Sequence, residues 1–214
     1  MKTEEDYIKK YGNAERRMTF HPVSVEQRAE GDNEEAMIRG IAAVVNSRTD
    51  LGWFYEEILP GAFDEVLSDD VRALFNHSPD MVLARTTSGT LKIFLDGDGH
   101  LNYEYKTPDR SYAKDLEDAI RSGDVSQSSF AFTVKEARCI ENIDEEKELR
   151  QIVKVEKLYD VSPVTFSAYE DTTVAERSFN AVKQEKEKKE EDEKRSNQSN
   201  NYKYKNQLLK VKLK

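Results

Sequence analysis

Apolar and polar residues alternate with a period of two through most of the chain, and the period changes to that of a helix once in a sustained way. From Arg16, RMTFHPVSVEQ alternates roughly, and AMIRGIAAVVNS is a β-rich run that ends in a turn-like Asn-Ser, so two early strands are predicted. WFYEEILPGAFDEVLSDD begins extended, breaks at Pro60-Gly61, and continues with Phe63, Val66 and Leu67 at the i, i+3, i+4 spacing of a short helix. VRALFNH reads as a short apolar strand closed by Asn76. MVLARTTSG, TLKIFLDGDG and HLNYEYKTP read as successive strands of a β-meander, turned at Ser88-Gly89 and at Asp96 to Gly99.

At Asp109 the pattern switches. RSYAKDLEDAIRSGD places Tyr112, Leu116, Ala119 and Ile120 on one face of an amphipathic helix, with Gly123 as its stop. SSFAFTVKEARCI returns to strand, with Phe130, Phe132 and Val134 on one face and Ser129, Ala131 and Thr133 on the other. Residues 141–149 are predicted to be an acidic loop, and ELRQIVKVEKLYDVSPVTF resumes strand character, bulged or at an edge where Ser162-Pro163 interrupts it. The order lacks regular βαβ alternation and a glycine-rich phosphate loop. A mostly antiparallel β-barrel with helices, mainly β and of the α+β class, is the expected fold.

Composition limits the partners. Hydrophobic residues are 37% and charged residues 35%, so charge must be segregated if a core is to form. It gathers at the ends. Residues 1–17 read as a charged arm, 18–178 as the folded domain, and 179–214 as a charged tail, disordered or partly helical, whose last dozen residues are basic. An overall charge of −9 despite that basic end makes the body acidic, which argues against specific nucleic-acid binding. The single cysteine, Cys139, excludes an internal disulfide and a cysteine-rich metal site. The sequence shows no secretory leader and no apolar run long enough for a membrane span. No metal or other cofactor is expected.

The candidate chemistry is that of a serine hydrolase. Among three histidines, His77 ends an apolar run and opens a loop, where a ring held on a rigid element still faces a cleft. In RSGDVSQSSF, Ser126, Ser128 and Ser129 crowd the junction of helix and strand. Ser126, at the junction itself, is favoured as nucleophile, with backbone N–H groups near it for an oxyanion; Ser129, inside the strand, stands in reserve. Asp160 lies in an apolar strand, where a carboxylate needs a partner, and a histidine proton is one such partner.

Four blocks resemble a known family in order: RGIAAVVNSRTDLGWFYEEILPGAF, VRALFNHSPDMVLARTTSGTLKI, TPDRSYAKDLEDAIRSGDVSQSSFAFTV and LYDVSPVTFSAYEDTTVAERS. Over residues 36–178 the chain is similar to the prohead maturation serine proteases of tailed bacteriophages. The resemblance implies a β-barrel with flanking helices like that of the herpesvirus assembly protease. It also implies a serine endopeptidase that cleaves scaffold and major capsid protein inside the immature prohead, in the host cytoplasm, and a homodimer is a further expectation. His77 of the FNH motif would be the base, Ser126 of VSQSSF the nucleophile, and Asp160 of LYDVSPVTF the acid. Gln127 stands where the resembled motif has glycine; with Ser167 and Ala168 it is assigned to the oxyanion and substrate side. The alternative is an inactive head-assembly or scaffold-associated protein that retains the fold.

Overall fold

A computed structural model describes residues 14–19, 21–30, 33–52, 54–144 and 147–166, and residues 179–180, 182–184, 187–188 and 195 of the C-terminal segment. Eleven strands and one helix make up the body among the described residues. They are β1 (Glu15–Thr19), β2 (Ser24–Glu30), β3 (Asn33–Ala43), β4 (Arg48–Asp50), β5 (Tyr55–Ile58), β6 (Arg72–Leu74), β7 (Val82–Arg85), β8 (Leu91–Leu95), β9 (Leu101–Lys106), α1 (Ser111–Ser122), β10 (Gln127–Asp144) and β11 (Lys147–Val164). The fold is mostly β with few helices.

The strands form two sheets rather than one closed ring. Seven strands make the larger sheet, in the order β1-β10-β11-β5-β4 with β6 beside β11 and β7 beside β6, and β2-β3-β9-β8 make the smaller. The expected meander is therefore divided, because β7 pairs with β6 and β8 with β9. Nor is the pairing wholly antiparallel, since β5 and β6 both run parallel to β11. The expected acidic loop at 141–149 is also largely strand: β10 and β11 form one long hairpin that reaches the pair Asp144 and Lys147.

The segment from Leu59 to Asp70 explains the parallel pairing. β5 pairs with β11 at Leu149–Ile152 and β6 pairs with it at Asp160–Val161, and the chain between them follows the edge of β11. Leu59 N–H donates to Ile152 O at 3.0 Å, Val155 N–H donates to Ala62 O at 2.9 Å, and Leu158 N–H donates to Asp69 Oδ2 at 2.9 Å. These groups are committed to β11, so the predicted helix through Phe63, Val66 and Leu67 is instead a run of i→i+3 turns, as in Val66 N–H to Phe63 O at 3.1 Å. The apolar spacing still does its work. Phe63 and Val66 are buried and Leu67 packs beside them.

The core lies where the two sheets and α1 meet. Ile38 and Ala42 of β3, Tyr103 of β9, Phe130 and Phe132 of β10, and Leu158 and Val161 of β11 share one buried cluster. α1 contributes Ala113, Leu116 and Ile120, and Gly123 ends it at φ 84°, a left-handed value that glycine adopts without the clash of a Cβ.

β1 extends into the expected arm, because Glu15 and Arg17 are needed inside. Arg150, with no exposed surface, donates to Glu15 at 2.7 and 2.8 Å and to Glu56 at 3.0 Å, while Arg17 donates to Glu15 at 2.5 Å and to Glu56. Burial works against the charge on Arg17, but Glu56 and Glu15 outweigh it and hold the guanidinium ionised. Two cations and two carboxylates thus meet here among the described residues. In the C-terminal segment the described residues are helical, with Phe179 stacked on Phe54 at 4.4 Å and Lys183 bonded to Glu148 at 2.8 Å. The expected arm at 1–13 and the basic end at 196–214 lie outside the described residues.

Candidate active site

The β10–β11 hairpin builds the site by register. Ser129 lies opposite Ser162 and Ala131 opposite Asp160, so the period of two places these four on one sheet face. Phe130 and Val161 turn the other way, into the core. Ser128, one step from Ser129, also faces inward and shares a 2.9 Å hydrogen bond with the Tyr103 hydroxyl. Burial raises the Tyr103 pKa while the Ser128 bond acts against it, and the phenol stays neutral. Gly40 makes room for this pair: a Cβ there would lie 2.5 Å from Tyr103 Oη and 2.7 Å from Ser128 Oγ.

His77 reaches the same face from the turn after β6. Asn76 and His77 have φ values of 52° and 55°, and Ser78 N–H closes the turn on Phe75 O at 3.0 Å. Two consecutive positive φ values are uncommon for residues other than glycine, even for Asn and His, which adopt them more readily than most, so the turn needs outside support. β11 gives it. Asn76 N–H donates to Pro163 O at 3.1 Å, and Asn76 Oδ1 accepts from Thr165 N–H at 2.9 Å. Pro163, which has no N–H, sits beyond the β6 pairing that ends at Val161, so no bond of that ladder is lost.

Held there, His77 bridges the hairpin. Its Nδ1 lies 2.6 Å from Asp160 Oδ1 and its Nε2 lies 2.7 Å from Ser129 Oγ. All three side chains are buried, with residue exposures of 7% for His77, 4% for Asp160 and 2% for Ser129. The carboxylate next to Nδ1 selects the tautomer with its proton on Nδ1, which leaves Nε2 free to accept from the serine. Arg17 O, at 3.0 Å, is a second acceptor for the same Ser129 hydroxyl, and the shorter contact to Nε2 favours His77.

The serine expected first is elsewhere. Ser126 is exposed before β10 begins, and its carbonyl accepts Val23 N–H at 3.1 Å. Among the described residues the His77 ring bonds to Ser129, Asp160 and Ser162, not to Ser126. Two residues, Gln127 and Ser128, separate the two candidates, and the register with β11 sets Ser129 opposite Ser162. Gln127 is half-buried and pairs with Val164, while Ser167 and Ala168 lie outside the described residues. Ser162 and Asn76 were not singled out from sequence for this site. Ser162 had one legible signal, its position two residues beyond Asp160 on the same strand face.

A hydroxyl, an imidazole and a carboxylate linked in this order are the arrangement of a serine hydrolase. The chain belongs to the caudovirus prohead serine protease family, whose family model matches residues 23–185. It is a serine protease of phage capsid maturation. Among solved structures the chain is similar to the bacteriophage T4 capsid assembly protease, gp21, at 9% identity and a TM-score of 0.43, covering 71% of this chain and 98% of that one. No curated protein sequence matches it.

Proposed function

We propose that this protease cleaves scaffold and major capsid protein inside the immature prohead, in the host cytoplasm, with Ser129 as nucleophile, His77 as base and Asp160 as orienting acid. The observation that carries the triad is the pair of short contacts from one imidazole, 2.7 Å to Ser129 and 2.6 Å to Asp160. His77 Nε2 takes the Ser129 proton as Oγ attacks the scissile carbonyl, and the imidazolium then protonates the leaving amine. Water enters by the reverse route and frees the acyl group from Ser129. Asp160 holds Nδ1–H and stabilises the imidazolium. Backbone N–H groups hold the oxyanion.

The experiment is incubation of the purified protein with its scaffold and capsid proteins. Ser129→Ala and His77→Ala are expected to lose about 10⁴-fold or more in cleavage rate, and Ser126→Ala to lose little. Cleavage that survives loss of Ser129 and vanishes with Ser126 would overturn this assignment.

A further inference from the structure

Ser162 has no exposed surface, and its hydroxyl proton has one destination among the groups at the site. Its Oγ lies 2.7 Å from Asp160 Oδ1 and 3.3 Å from His77 Nδ1. With Nε2 accepting from Ser129, Nδ1 carries the ring proton and cannot accept another. Ser162 therefore donates to Asp160 Oδ1, the oxygen that also takes the His77 proton.

The backbone holds that donor still. Ser162 precedes Pro163, which disfavours helical conformations for the residue before it and keeps it extended. Its cross-strand neighbour is Ser129, and the next residue, Pro163, accepts Asn76 N–H from the histidine turn. Ser162 is thus fixed relative to all three members of the triad. A carboxylate turns easily about its last torsion, which is broad and roughly two-fold, so one bond to a histidine does not fix its plane. A second donor on the same oxygen does.

We propose that Ser162 is a positioning residue for the proteolytic reaction: its hydroxyl locks the Asp160 carboxylate so that Oδ1 stays on His77 Nδ1–H. This rests on the triad of Ser129, His77 and Asp160. Without the hydroxyl, Asp160 loses its fixed orientation, and the imidazole drifts from the line to Ser129.

The test uses the purified full chain, an alkyl fluorophosphonate that reacts with activated serines, and the proton NMR signal of His77 Nδ1–H. Ser162→Ala is expected to be labelled about tenfold more slowly than the parent protein, with that proton signal displaced or broadened. Ser162→Cys, close in volume and a weak donor, is expected to fall between the two, and it carries the test should the alanine variant fail to fold. A parental labelling rate in either variant overturns the proposal. So does slower labelling with an unmoved proton signal, which would mark a purely structural role. Ser129→Ala separates the two claims: labelling of that variant at the parental rate would overturn the triad itself, whatever Ser162 does.

Discussion

Asn76 Oδ1 accepts the Thr165 N–H at 2.9 Å, which ties the turn carrying His77 to the end of the strand carrying Asp160. The imidazole is thereby placed relative to the β10–β11 hairpin although it belongs to a different part of the chain. Asn76→Ala removes this acceptor and leaves a non-glycine residue at φ 52° without a polar side chain to ease it. The expected loss is about 1–2 kcal/mol of stability, read by urea unfolding, with a fall of about tenfold or more in cleavage rate. Asn76→Gly, which relieves the strain but not the missing bond, should recover part of the stability and little of the rate.

The buried charge quartet makes β1 part of the protease body. Arg150→Met takes from Glu15 and Glu56 the bonds they receive from Arg150 and keeps those from Arg17. Denaturant unfolding should show a loss of about 3–5 kcal/mol, because removal of one partner strands a charge. Adding Glu15→Gln to Arg150→Met should restore part of that loss, and a further drop instead would contradict the charge balance.

Much of the site was legible in the sequence, and the missing part has a definite cause. The alternation in SSFAFTV correctly set Ser129 against Phe130 and Phe132, and the end of VRALFNH correctly placed His77 at a strand-to-turn junction. Which serine meets the histidine depends on the pairing of Ser129 with Ser162, a long-range register that no local pattern carries. The charges of Glu15 and Arg17 looked solvated for the same reason, since their partners Arg150 and Glu56 lie 135 and 39 residues away. The turns at 59–70 carried a true apolar spacing but lost the helix to hydrogen bonds with β11.

Gly40 should resist substitution. Gly40→Ala puts a methyl group within 2.5 Å of Tyr103 Oη and 2.7 Å of Ser128 Oγ, both of them buried. Overpacking of this kind costs about 1–3 kcal/mol. Ser128 adjoins Ser129, so cleavage should slow as well, and thermal unfolding measured beside activity would show both effects.

Acid should expose the part played by Glu65. Hydrogen bonds from Lys135 at 2.5 Å and Lys154 at 2.7 Å lower its pKa from an ordinary 4.5 to about 2. A depressed folded-state pKa stabilises above the unfolded value, and this contribution is lost as pH falls through about 2. Glu65→Gln should therefore melt slightly below the parent at neutral pH, a small gap because the groups are exposed and screened by salt. The gap should close between pH 4.5 and about 2, and a gap that widens in acid would contradict this assignment.

The most direct measurement is the site of covalent attachment. Treatment of the full chain with a fluorophosphonate, followed by proteolysis and tandem mass spectrometry, should place the adduct on Ser129, with none formed after His77→Ala. An adduct on Ser126, or one on Ser129 that forms equally well without His77, would contradict the triad.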